Sequence, residues 1–217
     1  LKQCEKGIER QIKEFYQKGL TAYQTGKYLP AMNYFKKLLR LQPTNQEANQ
    51  YYQKCHAIIL IQEAQRLTAQ KKFIKAIRNY QLSLKLDKDN KIAKEKIAYT
   101  KELCQQEVEK ALLKGKKALE VDRLHEAEKI FKTILNQYQA NNPQALNYLK
   151  LIEKKRKGRE LQEKINTYYS QGVAYYTNGE YRKAIAEWRK VLELNPQHEK
   201  AKKNIETVSY THLTLPT

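Results

Sequence analysis

Histidine and cysteine are the residue types that could bind a metal ion in this chain of 217 residues. The histidines have no second ligand at the spacing of a metal site, and the cysteines form no Cys-x-x-Cys pair. We therefore predict no metal, no cofactor and no disulfide framework. The residues concerned are His56, His125, His198, His212, Cys4, Cys55 and Cys104.

Aspartate and serine also lack the surroundings that catalysis requires. The segment DKDNKIAKEK at 87–96 begins like a calcium loop but has no central glycine. No serine lies in a Gly-x-Ser-x-Gly elbow, and the sequence contains no glycine-rich phosphate loop. The sequence therefore predicts a chain that is not an enzyme.

The charge of the chain points to an acidic partner. Lysine and arginine number 42 against 23 acidic residues, a formal net charge of +19, which favours encounters with negatively charged segments. The densest basic run is EKKRKGRE at 153–160, a wholly polar stretch around Gly158. We expect it to be a solvated helical arm or a hinge. Binding of nucleic acid or another polyanion is the alternative, and acidic residues interspersed among the basic ones argue against it.

Tyrosine is the residue type best suited to recognition, because it offers apolar area and a hydroxyl at small entropic cost. The chain has 16 tyrosines. Tyr16 and Tyr23 are seven positions apart, as are Tyr169 and Tyr176, so each pair lies on one face of a helix. These side chains are expected either to contact a partner or to pack between neighbouring helical hairpins.

The tyrosines precede copies of a repeated pattern, and the two strong copies are GKYLPAMNYFKKLLRLQP at 26–43 and NGEYRKAIAEWRKVLELNP at 178–196. Weaker copies are KKFIKAIRNYQLSLKLDK at 71–88 and DRLHEAEKIFKTILNQYQ at 122–139. In every copy a small residue stands twelve positions before an alanine, and a large aromatic stands four after that alanine. In chain order these triplets are Gly19, Ala31 and Phe35; Ala64, Ala76 and Tyr80; Gly115, Ala127 and Phe131; and Gly172, Ala184 and Trp188.

Each copy predicts two antiparallel helices. The small residue lets the helices approach closely, and the aromatic fills the space beside it. Gly26 and Gly179 suit the left-handed turn that ends a first helix, and Pro43 and Pro196 stop a second one. Because one hairpin of this size cannot bury its apolar stripe alone, the copies must stack.

The pattern resembles the tetratricopeptide repeat family, in a bacterial-type array. The resemblance implies an all-α fold, an α-solenoid of stacked helical hairpins that binds proteins or peptides. It covers residues 12–45, 57–90, 108–141 and 165–198.

In this family the face of the first helices lines the binding groove. The resemblance therefore implies partner contacts at Lys13 and at the four tyrosines Tyr16, Tyr23, Tyr169 and Tyr176. Of the positions that form the family's two-carboxylate clamp, only Lys13 fits, so capture of a chaperone tail is not expected. We predict a non-catalytic scaffold for an acidic peptide or helix; the alternatives are a polyanion-binding surface and the docking region of a larger protein.

The spacing of the copies departs from the family. Ordinary copies recur every 34 residues or so, whereas the small residues here are separated by steps of 45, 51 and 57. The additional residues include three segments without proline, at 47–67, 92–113 and 145–169, which are predicted to be helical. Each first helix is therefore expected to run for roughly 25–35 residues, about 40–50 Å, in an elongated, staggered array.

This spacing predicts three hairpin repeats over residues 1–152, the arm or hinge over 153–160, and a fourth repeat over 161–207. No run of about 18 or more apolar residues is present, so no membrane span is predicted. The sequence leaves open the oligomeric state and the choice between bacterial cytoplasm and cell envelope.

Both ends of the sequence have unusual features. The chain starts at Leu1 and its only methionine is Met32, so we expect the natural start to be missing. The last ten residues, VSYTHLTLPT, match a transposase adaptor codon for codon in one reading frame. Residues 208–217 are therefore expected to be a cloning or assembly scar and are left out of the fold prediction.

Overall fold

The computed structural model describes residues 2–210, with side chains from residue 6 onward. The described residues form nine α-helices and one π-helical turn, with no strand, which confirms the all-α prediction. The helices are α1 (Lys2–Gln24), α2 (Tyr28–Leu41), α3 (Gln46–Ala69), α4 (Phe73–Leu86), α5 (Lys91–Glu120), α6 (Leu124–Thr133), α7 (Pro143–Thr177), α8 (Tyr181–Leu194) and α9 (Glu199–Val208), and the π-helical turn is Ile134–Tyr138.

The chain divides into two compact units, the first ending at Tyr148 and the second beginning at Leu149. In the first unit α1 packs on α2, α2 on α3, α3 on α4, α4 on α5, and α5 on α6. In the second unit α8 packs on α9, and the core is built around Trp188. Each unit therefore has its own hydrophobic core.

The first helix of each copy is long, as the spacing predicts. Helices α1, α3, α5 and α7 contain 23, 24, 30 and 35 residues. The polar run at 153–160 lies within α7, and all of its side chains except the half-buried Arg156 are exposed. A solvated helical segment is what a run without apolar residues should form.

A side-chain cap begins every helix that follows a second helix. The capping atom accepts a hydrogen bond from the backbone N–H three residues later, which satisfies a donor that has no partner inside the helix. Sequence reasoning missed these caps, although three of them are asparagines just after the end of a repeat. The caps are Asn45, Asn90, Asn142 and His198, bonded to the N–H of Ala48, Ala93, Ala145 and Ala201 at 2.9, 3.0, 2.9 and 3.2 Å.

The small residue of each copy lies directly against the large aromatic, as the sequence predicts. A Cβ atom placed on Gly19 would lie 2.9 Å from Phe35 Cε1, and one placed on Gly172 would lie 2.4 Å from Trp188 Nε1. The third copy is equally tight at 2.6 Å, and in the second copy the buried Ala64 takes the place of the glycine. The alanines and aromatics of all copies are fully buried or nearly so: Ala31, Ala76, Ala127, Ala184, Phe35, Tyr80, Phe131 and Trp188.

The turn between the two helices of a hairpin needs one residue in the left-handed region. Gly26 and Gly179 adopt φ of +73° and +77°, which confirms their predicted role in the strong copies. In the two weaker copies Lys71 and Asp122 adopt φ of +57° and +62°. A residue with a side chain pays about 1–2 kcal/mol for this conformation, so the degenerate copies retain the turn at a cost in stability.

The prolines lie where the second helices end. Helix α2 ends at Leu41 and α8 at Leu194, and Pro43 and Pro196 occupy the turns that follow. Proline has no N–H to continue the helix, so both positions act as the predicted stops.

The third copy contains one additional residue, which the π-helical turn absorbs. Its second helix runs 15 residues from Leu124 to Tyr138, whereas α2, α4 and α8 have 14 each. At the end of α2 the N–H of Gln42 donates to Leu38 O, four residues back, but here Gln139 N–H donates to Ile134 O, five back. A π-helical turn is the form in which an α-helix accommodates a single insertion.

Deletion of Asn136 is expected to convert the π-helical turn into a regular α-helical end. The free energy of unfolding should change by less than about 1 kcal/mol, because residues on both sides then have the register of the other copies. Deletion of Arg40, the matched position in α2, should cost about 2 kcal/mol or more, because the last turn of that helix would rotate out of register. Denaturant titration followed by far-UV circular dichroism measures both, and equal losses would contradict this account.

Val208 is the first residue of the expected scar and the last of α9. Its side chain is buried against the core around Trp188, at the position that the buried Cys55 occupies in the first copy. An apolar side chain at this position of α9 faces the hydrophobic core and packs against it. Residues 211–217 of the expected scar lie outside the described residues.

Candidate partner-binding surface

An open groove in the first unit brings together Lys13 and Tyr16, two of the residues that the sequence singled out. It is formed by α1, the end of α2 and the beginning of α3. Lys13 is exposed, and Tyr16 is half-buried with its hydroxyl at the groove. The other residues that line it are Glu9, Ile12, Leu38, Gln42, Asn45 and Glu47.

Tyr16 connects this groove to the core. Its ring meets Phe35 and Tyr51 edge-on, with centroids 6.2 and 6.4 Å away, and its hydroxyl donates a hydrogen bond to Glu47 Oε1. That hydrogen bond, with burial and the negative charge of Glu47, raises the pKa of Tyr16 to about 12. At neutral pH the phenol is therefore a fixed donor that ties α1 to α3.

Tyr23 lies two helical turns beyond Tyr16 along α1 and does not line the groove. Its ring meets Tyr28 and Tyr51 edge-on at 5.8 and 5.3 Å, and burial raises the pKa of its phenol. Tyr51, which sequence reasoning missed, is the centre of this cluster and also stacks on Phe35 at 5.2 Å with 10° between the planes. Tyr51 follows the buried Ala48 by three positions, about one helical turn, so both lie on the same face of α3. That spacing is the sequence signal that could have identified it.

In the second unit Tyr169 occupies the position of Tyr16 and makes an equivalent link. Its hydroxyl accepts a hydrogen bond from Asn204 Nδ2 at 3.3 Å, its ring lies 5.2 Å from His198, and its carbonyl accepts from Trp188 Nε1 at 3.3 Å. Tyr169 is thus half-buried between α7 and α9. Its contacts resemble those of a helix-joining residue more than those of a free surface side chain.

Tyr176 is the most exposed of the four tyrosines, with 41% of its surface accessible. It lines a cleft together with Val173, Trp188 and Asn204. In this cleft Asn204 stands where the first copy has Tyr51, the ring that stacks on Phe35, and the ring of Tyr176 lies tilted against Trp188 at 6.2 Å. The third copy has such a ring, since Tyr148 stacks on Phe131 at 4.8 Å.

Within residues 2–210 there is no group of three or more His, Cys, Asp or Glu arranged to hold a metal ion. Cys55 and Cys104 are free and buried, and burial raises the pKa of both thiols, that of Cys55 to about 11. A protonated, buried thiol is a poor nucleophile.

None of the described helices is long and apolar enough to cross a membrane.

Comparison with known protein families identifies the two strong copies of the repeat. Residues 15–45 and residues 165–198 each match the tetratricopeptide repeat family. These two segments are tetratricopeptide repeats. The resemblance seen in the sequence is confirmed there, and the two middle copies have the same hairpin geometry. Tetratricopeptide repeats are generally non-catalytic modules for protein interaction, so their presence favours an interaction scaffold.

Comparison with solved structures gives only a weak similarity. The chain is similar to two crystal structures of MamA. One is 16% identical, covering 93% of this chain and 82% of that chain with a TM-score of 0.24, and the other is 17% identical, covering 88% and 82% with a TM-score of 0.22. Such loose similarity carries no argument about this chain. No curated protein sequence matches it.

Proposed function

We propose that this chain is a non-catalytic scaffold that binds a partner peptide or helix along the face of its first helices. The observation that carries the proposal is the groove of α1, α2 and α3, which is partly formed by the tetratricopeptide repeat at residues 15–45 and holds Lys13 and Tyr16 together. Ile12 supplies an apolar wall, and Lys13 supplies a charge that can pair with a carboxylate. Tyr176 offers a comparable apolar and hydroxyl surface in the second unit.

Rigid positioning is what makes such a groove useful. Tyr16 is held by Phe35, Tyr51 and Glu47, so little side-chain entropy remains to be lost when a partner binds. The exposed Lys13 supplies an adaptable contact at the rim of this groove. A rigid aromatic base with adaptable groups at its rim is the usual anatomy of a peptide-binding surface.

The proposal is tested by selecting ligands from a phage-displayed random peptide library and measuring their affinity by fluorescence anisotropy. Lys13→Ala combined with Tyr16→Phe should weaken binding of the selected peptides by about tenfold or more. Phenylalanine is chosen because alanine at Tyr16 would also remove its packing on Phe35 and confuse binding with stability.

The matched control is Tyr99→Ala combined with Lys101→Ala, two exposed positions of α5 outside the groove. This variant should bind the selected peptides as the unmodified chain does. If both double variants lost affinity equally, or if neither did, the first-helix face would not be the binding surface. Far-UV circular dichroism should show the same helix content in all three proteins.

A further inference from the structure

The π-helical turn Ile134–Tyr138 separates two clefts of the first unit. One cleft, of about 260 Å³, is lined by Lys110 and Lys114 from α5 and by Ile130 and Tyr138. The other, of about 220 Å³, is lined by Lys72 and Lys75 of the second copy and by residues of the turn itself. We name these two clefts, with the turn between them, the π-turn site.

Neighbouring elements hold the turn in place. The ring of Tyr138 packs on that of Phe73 with centroids 5.4 Å apart, and Phe73 is almost fully buried. The backbone carbonyl of Tyr138 accepts a hydrogen bond from Cys104 Sγ at 3.3 Å. The site therefore has a fixed shape, and it lies in the copy that carries the additional residue. Single π-helical turns inside α-helices are frequent at functional sites.

Charge around the π-turn site is strongly one-sided. Five lysines and one glutamate surround it: Lys71, Lys72, Lys75, Lys110, Lys114 and Glu107. Glu107 already binds Lys71 at 2.6 Å and Lys110 at 3.4 Å, and the hydrogen bond from Lys71 lowers the pKa of its carboxyl. Lys75 and Lys114 have no acidic partner among the described residues. The groove of Lys13, by contrast, is lined by two glutamates, so acidic ligands should prefer the π-turn site.

We propose that the π-turn site binds an acidic peptide segment. Carboxylates would pair with Lys72 and Lys75 on one side of the turn and with Lys110 and Lys114 on the other. Beside Lys110 and Lys114, an apolar residue of the peptide would pack on Ile130 and Tyr138. Ile130 and Tyr138 offer an apolar wall that fits an apolar side chain, which a peptide carries and a phosphate backbone does not, so the combination of charge and apolar surface favours a peptide.

This site is separate from the first-helix groove, so each proposal can fail alone. The probe is a fluorescein-labelled peptide of glutamate and aspartate residues around a central leucine, and the readout is fluorescence anisotropy with the whole chain. The test variant combines Lys72→Gln, Lys75→Gln, Lys110→Gln and Lys114→Gln. The matched control removes the same charge from exposed lysines elsewhere in the first unit, by Lys36→Gln, Lys85→Gln, Lys94→Gln and Lys101→Gln.

The test variant should bind the acidic peptide about tenfold or more weakly than the unmodified chain, and the control less than about threefold. Equal losses in the two variants would overturn the site, because they would mean attraction to overall charge only. A short DNA duplex that bound more tightly than the peptide, and lost more affinity in the test variant, would overturn the peptide assignment.

Deletion of Asn136 tests the geometry with every lysine retained. Removing the π-helical turn should weaken the acidic peptide several-fold while circular dichroism keeps its helical signal. Unchanged affinity in this variant would overturn the role of the turn. The phage-selected peptides of the first-helix groove should bind the lysine variant normally, which separates the two proposals.

Discussion

Gly172→Ala is expected to lower the free energy of unfolding of the second unit by about 3 kcal/mol. The new Cβ would lie 2.4 Å from Nε1 and 2.5 Å from Cδ1 of Trp188. That ring has little freedom to move, because it is 1% exposed and its Nε1 donates to the carbonyl of Tyr169. Either α7 must withdraw from α8 or the indole must leave its rotamer, and both disturb a packed core.

Gly158→Ala in the same helix is the matched control. Nothing lies within 4 Å of a Cβ at that position, so alanine should stabilise the helix by about 0.5–1 kcal/mol through its lower backbone entropy. Trp188 is the only tryptophan of the chain, so its fluorescence during denaturant titration reports on the second unit. A loss of less than 1 kcal/mol for Gly172→Ala would show that the glycine is not required for close packing.

A double variant tests whether the loss of stability in Gly172→Ala arises from the contact between residue 172 and Trp188. The second copy packs Ala64 with Tyr80, so Gly172→Ala together with Trp188→Tyr places that natural combination in the fourth copy. The combined loss, followed by circular dichroism, should be smaller than the sum of the two single losses. Additive losses would mean that the alanine clashes with something other than the aromatic ring.

Phe35→Ala is expected to destabilise the first unit by about 3–5 kcal/mol, the range for a buried aromatic that leaves a cavity. Phe35 is completely buried, Tyr51 stacks on it, and Tyr16 meets its edge. Removing the ring leaves both tyrosines without their central contact. The groove that holds Lys13 should loosen as well, so we expect weaker binding of the phage-selected peptides.

Leu29→Ala, in the same helix α2, provides the comparison for Phe35→Ala. Leu29 is 56% exposed, so the substitution should change the free energy of unfolding by less than about 0.5 kcal/mol. Denaturant titration followed by far-UV circular dichroism measures both variants. Similar losses for the two would contradict the central place of Phe35 in the core.

Local pattern made the hairpins predictable. Each hairpin carries a triplet of a small residue, an alanine and an aromatic, such as Gly19, Ala31 and Phe35. The fixed spacing of the triplet predicts which faces of the two helices pack together. Glycine and proline mark the turns because their backbone preferences are intrinsic. The same reasoning predicted the long first helices, since nothing between the copies interrupts a helix.

The candidate site was less predictable. Sequence spacing placed Tyr16 and Tyr23 on one helix face, but it does not say how much of each ring a neighbouring helix covers. Tyr51 contacts both in the first copy, whereas in the fourth copy Asn204 stands at that position and Tyr176 packs on Tyr181 and Trp188 with 41% of its surface exposed. Whether these tyrosines contact a partner stays a prediction, as does the acidic character of that partner.

The sequence by itself determined the repeat, the all-α class and the contacts inside each hairpin, because these depend on residues at fixed short separations. The tertiary structure alone decided which surfaces remain free. It ties Tyr16 to Glu47 and collects lysines of two copies around a π-helical turn. Such contacts join residues some thirty or more positions apart, and one inserted residue changes which of them meet. Their physical origin is the packing of one helix on another, which local spacing does not encode.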